Sequence, residues 1–409
     1  MTSPLSIAQL LPQCPLPATD GGKVGLLGII RGFDGHGCDV TAAMYSTAED
    51  STVAPLRAWC TPVQVPLSTK NTPLRIAASL LRPRALYMWK HDRAAFKTVL
   101  RRLATERRFD VVHADHTSMA PLAAYLSKLL DIPWGLRLHN IEYRIWERYA
   151  ERFTAADPRR WYLQRQTNLL RMEEQRWIAM ADVVFPITGV DEAEALRLSP
   201  DARTVVAPAG IFPDDWPPAA PDAHAPHDVI MTASYKWRHN ADGLHWFVRE
   251  VWPFVRLVVP TARLRVCGTS VPAWIDQYSN HGVVNEGFVD DLRSALQTSA
   301  VAVVPLFVGS GVRIKIIEAM AAGVPVVSTS IGAEGIDANA QDGLFRADAA
   351  AAMADRIVTL LQRPEQRAAA AHAARDLIHR RYTWAASTGA MLEAYRKAIE
   401  RRAARKHLA

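Results

Sequence analysis

The chain has 409 residues, of which 49% are hydrophobic and 22% charged, a composition typical of a folded globular protein and unlike that of a disordered or fibrous one. A chain of this length exceeds one hydrophobic core, so two domains are expected. The net charge of +7 is not accompanied by a nucleic-acid-binding motif, and we expect no nucleic acid as a partner.

The sequence also carries information about the compartment. It contains no apolar run of about 18 residues, the length that predicts a membrane-spanning helix. Residues Met1 to Leu11 lack the basic start and apolar core of a secretion signal. The four cysteines have neither metal-ligand nor redox spacing, which indicates reduced thiols. We therefore expect a cytoplasmic protein.

The first half of the chain begins like a doubly wound parallel sheet. A strand is predicted at Leu5–Leu11, followed by a loop ending at Asp20-Gly21-Gly22-Lys23, a helix at Val24–Phe33 and a strand at Cys38–Tyr45. Further strands are predicted at Val111–His113, Gly135–Leu138, Val183–Pro186 and Val205–Val206, with helices at Met119–Leu130 and within Ile145–Ala181.

The segment from Arg75 to Arg108 is strongly basic. It holds ten Lys and Arg against two acidic residues, with Leu80, Leu81, Leu86, Met88 and Trp89 interleaved. One interpretation is a peripheral contact with the anionic inner face of the plasma membrane. The other is a solvated helix face, and the sequence does not decide between them.

The middle of the chain has the composition of a linker. Residues 207–227 contain six prolines and almost no periodic pattern, and a fresh alternation of strands and helices starts at Asp228. We therefore predict an N-terminal domain over 1–206, a linker over 207–227 and a C-terminal domain over 228–385. A last helix over 386–409 is expected to pack back on the N-terminal domain.

The second domain contains a glycine-rich loop, Gly309, Ser310 and Gly311, that precedes a predicted helix carrying Arg313, Lys315 and Glu318. A helix N-terminus offers unpaired N–H groups and the positive end of the helix dipole, which suit a phosphate. Two cations add charge-assisted hydrogen bonds, and a carboxylate further along accepts the hydroxyls of a ribose. The pattern predicts a site for a nucleotide diphosphate.

From 283 to 336 this region resembles the donor-binding half of retaining glycosyltransferases of the GT-B fold, family 4. The likeness is to the subset with Gly-Ser-Gly-x-Arg-x-Lys-x-x-Glu-Ala. The resemblance implies two Rossmann-like doubly wound α/β domains facing across a cleft. It also implies a nucleotide-sugar donor, phosphate-binding roles for Arg313 and Lys315, and a ribose-binding role for Glu318.

The chain departs from the usual family pattern at two places. Most members have a glutamate that contacts the donor sugar where this chain has Ser310. After the first strand of the second domain, the family's phosphate-binding Gly-Arg and Lys-Gly pairs are absent. Lys236 and Arg238, which lie between the matching positions, are candidates to replace the missing charge; the alternative is a solvated turn.

In the first domain the resemblance points to a glycine loop and to residues beyond strand ends. Gly21 and Gly22 match the family's first glycine loop, where missing side chains let the backbone approach the donor phosphate or the acceptor hydroxyl. His139 matches the histidine that contacts the transferred sugar. Asn140 beside it and His116 after the preceding strand are candidates for the acceptor side.

The resemblance implies a retaining hexosyltransferase-type enzyme that moves a sugar to a glycan or lipid-linked acceptor, and we expect a role in bacterial surface polysaccharide or glycolipid synthesis. No Asp-x-Asp motif is present, so no metal and no other cofactor are expected. Two alternatives stay open: a non-catalytic GT-B scaffold in a polysaccharide-synthesis complex, which Ser310 favours, and a sugar-nucleotide epimerase.

Overall fold

A computed structural model describes residues 4–18, 20–217, 227–308 and 312–408. Within these residues the chain forms two parallel β-sheets of six strands each, with helices between the strands. The strands of the first sheet are β1 Ser6–Leu11, β2 Asp39–Tyr45, β3 Thr61–Val65, β4 Val111–Ala114, β5 Trp134–Leu138 and β6 Val183–Pro186. Those of the second are β7 Asp228–Thr232, β8 Arg263–Cys267, β9 Val283–Gly287, β10 Val301–Val304, β11 Val326–Ser328 and β12 Leu344–Arg346.

The helices follow the strands along the chain. The first nine are α1 Gly21–Gly35, α2 Asp50–Val53, α3 Pro73–Leu80, α4 Leu86–Trp89, α5 Ala94–Glu106, α6 Ala120–Leu130, α7 Glu142–Ala150, α8 Pro158–Met180 and α9 Gly189–Leu198. The others are α10 Arg238–Trp246, α11 Trp252–Val258, α12 Leu292–Gln297, α13 Ile314–Ala321, α14 Ala350–Gln362, α15 Pro364–Arg381 and α16 Trp384–Leu408. None of the helices in the described ranges combines the length and apolarity that crossing a membrane requires.

Both sheets have the doubly wound strand order. The first runs β3-β2-β1-β4-β5-β6 and the second β12-β11-β10-β7-β8-β9, with all neighbours parallel. Strands of such sheets are covered on both faces, which explains why β4, β5, β6 and β10 are buried throughout. The predicted pair of Rossmann-like α/β domains is confirmed.

The chain divides into two units. Unit 1 comprises residues 1–208 and 384–409, and unit 2 comprises residues 209–383. The segment predicted as a linker is shared between them: residue 208 belongs to unit 1, while Ile211 pairs with Thr383 inside unit 2. Residues 218–226 of that segment lie outside the described residues.

The last helix is part of unit 1. Trp384, two residues before the predicted helix start, is 2% exposed and fills a space beside Gly28 of α1. Thr388 packs against Gly32 one turn further along, and Tyr395 lies against Gly135 of β5. Since a Cβ atom at any of these glycines would overlap α16, the small residues create its binding surface.

The predicted strand at Val205–Val206 is wrong. Only Thr204 pairs with the sheet, through a single bridge to Val184, and Ala207 follows with one backbone hydrogen bond to Pro186. This stretch is half-buried and runs past the edge strand β6 without extending the ladder. Two adjacent valines are too short a signal to distinguish such a contact from a strand.

Candidate active site

The carboxyl edge of the first sheet holds a buried ionic cluster centred on Asp115. Asp115 follows β4 and accepts hydrogen bonds from Gln9 Nε2 at 2.8 Å, Arg137 Nη1 at 3.1 Å and His139 Nε2 at 2.8 Å. Burial opposes ionisation of the carboxyl, but Arg137 and His139 outweigh it and hold the pKa of Asp115 well below its usual range. The cluster fixes side chains from β1, β4 and β5 at one point of the sheet edge.

His139 Nε2 lies 2.8 Å from both Asp115 Oδ1 and Arg137 Nη1, so the carboxylate and the guanidinium together hold the ring in place. The pKa of His139 is lowered, first by burial and then by Arg137, so the imidazole is neutral near pH 7. Gly25 of α1 lies beside this ring, since a Cβ atom placed there would be 3.4 Å from His139 Cε1. His139 is therefore a neutral imidazole held in a fixed position.

His116 lies next to His139, with ring centroids 5.0 Å apart. Its Nδ1 is 2.6 Å from Tyr87 Oη, and its Nε2 is 3.6 Å from Glu142 Oε1. Burial, followed by His139 and Arg137, holds its pKa well below the ordinary value. The backbone φ of His116 is +152°, a conformation almost reserved for glycine, so the surrounding contacts must stabilise this strained backbone.

Two buried carboxyl groups, Glu142 of α7 and Glu174 of α8, meet at the start of α7. Glu174 of α8 accepts from the backbone N–H groups of Glu142 and Tyr143, both at 2.9 Å, and so caps the helix. Burial raises the pKa of Glu142 to about 7, while a hydrogen bond from Asn140 and the charge of Lys90 act in the opposite direction. Asn140, the residue after His139, thus lies against Glu142.

Gly21 and Gly22 form the first turn of α1. Asp20 caps this helix by accepting from the backbone N–H of Lys23 at 3.0 Å, which explains why the helix begins before its predicted start at Val24. The first N–H groups of a helix have no partner inside it, and the two glycines leave them uncovered by side chains. Both glycines are exposed and lie one turn before Gly25, the residue beside His139.

In unit 2 the corresponding sheet edge brings α10 and α13 together. Helix α10 follows β7 and α13 follows β10, the two strands between which the order of the sheet reverses. Lys315 Nζ of α13 donates to Asn240 Oδ1 of α10 at 3.1 Å, and Asn240 Nδ2 donates to the Ser234 carbonyl at 2.9 Å. Gly243 permits this approach, because a Cβ atom there would overlap the Pro305 carbonyl.

Lys315 and Glu318 have shifted pKa values. Burial, with a contribution from the nearby Arg313, lowers the pKa of Lys315 to about 8, and the charge of Glu318 acts against this shift. Burial also raises the pKa of Glu318 to about 7, opposed by Lys315. Arg313 is the N-cap residue of α13, so it stands just before the helix and not within it. Three ionisable groups thus share the first turns of one helix.

The other residues predicted for the donor site are placed differently. Arg238 at the start of α10 is largely exposed and pairs with Asp242 at 3.5 Å. Lys236 is also exposed, and in the described part of the chain it has no side-chain partner. Gly309, Ser310 and Gly311 lie outside the described residues.

Sequence reasoning overlooked several members of these clusters: Asp115, Arg137, Tyr87, Glu142 and Asn240. For Asp115 a signal existed, because an acidic residue between two histidines directly follows a buried strand. Asn240 stands where the family's Lys-Gly pair has its glycine, so no side-chain role was predicted for it. Its contact with Lys315 requires the packing of α10 on α13, which no local pattern reports.

Two family models match the chain. The model for glycosyl transferases group 1 covers residues 226–363, and the model for the glycosyl transferase 4-like domain covers residues 20–210. The chain belongs to the group 1 and 4-like glycosyltransferases. The predicted family is thereby confirmed at this level.

Solved structures support the same fold for this glycosyltransferase. Sucrose-phosphate synthase from Thermosynechococcus elongatus matches with a TM-score of 0.69 at 16% identity, covering 96% of this chain and 98% of that one. HepE of Anabaena in complex with UDP gives 0.66 at 15% identity, over 96% and 100%. WaaG, a glycosyltransferase involved in lipopolysaccharide biosynthesis, gives 0.62 at 14% identity, over 94% and 98%. At these identities the likeness establishes the GT-B fold class.

One curated relative matches in part. An uncharacterized 44.6 kDa protein in the cps region of Klebsiella pneumoniae is 25% identical over 140 residues. The match covers 32% of this glycosyltransferase and 36% of that protein, so it spans about a third of either chain.

Proposed function

We propose that this glycosyltransferase moves a sugar from a nucleotide-sugar donor to a glycan or lipid-linked acceptor, with retention of the anomeric configuration. The observation that carries the proposal is the group formed by Arg313, Lys315 and Glu318 at the strand-order reversal of unit 2, where Asn240 fixes the lysine. Open α/β sheets bind ligands at this position. HepE of Anabaena, which shares the fold, has been crystallised with UDP and with UDP-glucose.

In the proposed donor site, Arg313 and Lys315 stabilise the negative charge that grows on the leaving diphosphate. No metal is required in this scheme, because the two cations perform the neutralisation. Glu318 accepts the ribose hydroxyls. The backbone N–H groups of Gly309, Ser310 and Gly311 complete the phosphate contacts, and Lys236 and Arg238 add positive charge at the entrance.

The proposed transfer step uses the neutral histidines of unit 1. His139, held by Asp115 and Arg137, contacts a hydroxyl of the transferred sugar. His116 and Asn140 orient the acceptor, and the N–H groups of Gly21 and Gly22 approach the donor phosphate. The acceptor oxygen forms the new bond to the anomeric carbon on the face that the diphosphate leaves, and a donor phosphate oxygen takes the proton of the acceptor hydroxyl.

The acceptor is proposed to belong to bacterial surface polysaccharide or glycolipid synthesis, at the cytoplasmic face of the membrane. Two similar proteins support this assignment. One is encoded in the cps region of Klebsiella pneumoniae, and the other, WaaG, is involved in lipopolysaccharide biosynthesis. The basic segment from Arg75 to Arg108 agrees with an anionic surface as a partner.

The test is a thermal-shift and calorimetric screen against UDP, GDP, ADP and their sugar conjugates. A ligand that binds only the folded chain raises its melting temperature. We expect one nucleotide class to bind, and Glu318→Ala to weaken its affinity by roughly tenfold to a hundredfold, as for a lost hydrogen bond to a charged group. Glu365→Ala, an exposed glutamate of α15 in the same unit, is the matched control.

Product analysis completes the test. With the donor identified, NMR of the glycosidic linkage is expected to show the anomeric configuration of the donor. Binding without transfer to any acceptor would favour the scaffold alternative, and donor isomerisation without an acceptor would favour the epimerase. A screen in which no nucleotide binds would contradict the proposal.

A further inference from the structure

Helix α3 presents its apolar side chains to solvent. Leu74 is 80% exposed and Leu81, directly after the helix, is 90% exposed; Ile76 and Leu80 are about 40% exposed. Ser79 is the buried residue of this helix. Four exposed aliphatic side chains on and directly after one short helix are unusual for a globular surface and mark an interaction site.

The helix is nevertheless held in place by polar contacts with α8. Ser79 Oγ is 2.9 Å from Tyr162 Oη, and Arg165 donates to the carbonyls of Ser79 at 3.1 Å and Arg82 at 2.8 Å. Thr72 caps the start of α3 by accepting from the N–H of Arg75. The leucines are therefore exposed on a helix that is packed against α8, and their exposure does not result from a detached helix.

An exposed tryptophan extends this surface. Trp161 of α8 is 61% exposed and lies one helical turn before Arg165, on the same face of α8 that binds the end of α3. We call the set Leu74, Ile76, Leu80, Leu81 and Trp161 the α3 patch. Leucine and tryptophan together are typical of surfaces that enter the boundary between lipid headgroups and acyl chains.

The charge around the patch is positive. Between Lys70 and Arg93 the chain holds six Lys and Arg, and its acidic residue, Asp92, is paired with Arg84 and Lys97. The guanidinium of Arg82, the residue after Leu81, lies over the Trp89 ring at 4.3 Å. Because an apolar patch surrounded by cations complements an anionic bilayer, this charge selects a membrane over a second copy of an equally basic chain.

Not all apolar residues of the basic segment from Arg75 to Arg108 are exposed. Leu86 and Met88, which the sequence grouped with the surface residues, are 2% and 0% exposed and belong to the core. They anchor α4, whose Tyr87 contacts His116. Only a few residues therefore separate the α3 patch from the proposed acceptor side.

We propose that the α3 patch docks unit 1 on an anionic bilayer and that the acceptor is carried by a lipid in that bilayer. The leucines and Trp161 enter the interface, and Arg75 and Arg82 contact phosphate headgroups. Docking at α3 brings α4 and His116 towards the membrane surface, where the acceptor hydroxyl would be presented. The second half of the inference rests on the proposed function; the docking surface itself does not.

The test is vesicle flotation of the full chain, using phosphatidylcholine alone and an equal mixture with phosphatidylglycerol. We expect binding to the mixture that weakens with salt. The double variant Leu74→Ser/Leu81→Ser should lose roughly tenfold or more of its partitioning. Arg75→Gln/Arg82→Gln should lose about fivefold for each cation. Leu257→Ser is the matched control, because Leu257 of unit 2 is 78% exposed and lies outside the patch.

The outcomes separate the docking surface from the proposed function. Equal vesicle binding by the double leucine variant and the parent would overturn the docking surface, as would equal binding to neutral and mixed vesicles. The patch would be assigned to a second copy of the chain if the unmodified protein did not bind vesicles but formed dimers in sedimentation. The double leucine variant would then have to lose those dimers. Nucleotide binding, measured on the same variants, should be unchanged; its absence in the parent would contradict the proposed function alone.

The proposal that the acceptor is lipid-linked is tested separately, by comparing transfer to two acceptors. With the donor identified, transfer to a lipid-linked acceptor in mixed vesicles should fall in the double leucine variant, while transfer to a water-soluble acceptor analogue should not. An equal fall with both acceptors would overturn the acceptor assignment.

Discussion

Lys315 and Glu318 lie one helical turn apart, and each is pushed towards its uncharged form by burial. The pKa of Lys315 is lowered to about 8 and that of Glu318 is raised to about 7. Between these values both groups are largely ionised, and outside them one of the two charges is lost. In the proposed donor site, where the ammonium serves the diphosphate and the carboxylate the ribose, we expect donor binding only within a narrow pH range.

The prediction at this scale concerns the affinity for the donor nucleotide as a function of pH. Below pH 7 the protonation of Glu318 should weaken binding, and above pH 8 the deprotonation of Lys315 should weaken it, by up to about tenfold per pH unit on each side. Calorimetric titration from pH 6 to pH 9 measures the profile. Glu318→Gln should remove the acidic limb, whereas Glu365→Gln should leave it. An acidic limb that persists in Glu318→Gln would contradict the assignment.

Part of the site was accessible from the sequence at the level of single residues. Lys315 and Glu318 stand at fixed distances from a glycine-rich loop, and His139 directly follows a buried strand, so local patterns were sufficient to name them. Tyr87 was not accessible, because it lies on a four-residue helix without periodicity and contacts His116 through tertiary packing. Local sequence reports which residues reach a sheet edge, but not which side chains meet there.

At the scale of secondary structure elements, the contact between α1 and α16 depends on missing side chains. Gly28 and Gly32 lie under Trp384 and Thr388. In a helix interior each glycine costs roughly 0.5–1 kcal/mol relative to alanine. The gain is close packing of a buried indole against the α1 backbone.

Gly28→Ala is therefore expected to destabilise the protein although alanine is the better helix former. A Cβ atom at position 28 would overlap the Trp384 ring, so we expect a loss of about 1–3 kcal/mol, or several degrees in the melting temperature of unit 1. Gly35→Ala in the same helix is the control. Its Cβ atom would meet none of the described atoms within 4 Å, so a neutral or slightly stabilising effect is expected. Calorimetry that finds the two variants equal would refute this account.

Three strands that the sequence did not predict lie at the edges of the sheets. The strands β3, β9 and β12 are edge strands of the two sheets. Edge strands are covered on fewer sides, and their residues are mixed: β3 is half-buried and contains Pro62, and β9 exposes Val284 and Asn285. The central strands β1 and β4 are buried and largely apolar, and both were predicted. A strand buried on both faces has a run of apolar residues, and this run allows its prediction from the sequence.

At the scale of the whole molecule, unit 1 is built from two distant parts of the chain. Trp384, Tyr395 and Ala398 of α16 are buried, and Tyr395 Oη lies 2.7 Å from His113 Nδ1 of β4. Unit 2, by contrast, is one continuous stretch, and Ile211 near its start pairs with Thr383 at its end. Each unit has its own core, but only unit 2 is complete without α16.

A chain that ends after Thr383 should therefore lose unit 1 and keep unit 2. We expect fast amide hydrogen exchange in β1 and β4 of this truncated chain, with slow exchange retained in β7 and β10. Nucleotide binding to the unit 2 site should persist in weakened form. Truncation after Arg402, which leaves Trp384 and Tyr395 in place, is the matched control. Unchanged protection of β1 in the shorter chain would show that α16 is dispensable.

The placement of α16 also sets an order of events at the ribosome. All residues of unit 2 leave the exit tunnel before Trp384. Unit 2 can therefore complete its fold while unit 1 still lacks α16. During that interval the surfaces beside Gly28 and Gly135 are not yet covered by Trp384 and Tyr395. A translation that stops before Trp384 yields a complete unit 2 attached to an incomplete unit 1. The folding of unit 1 is therefore expected to finish after that of unit 2.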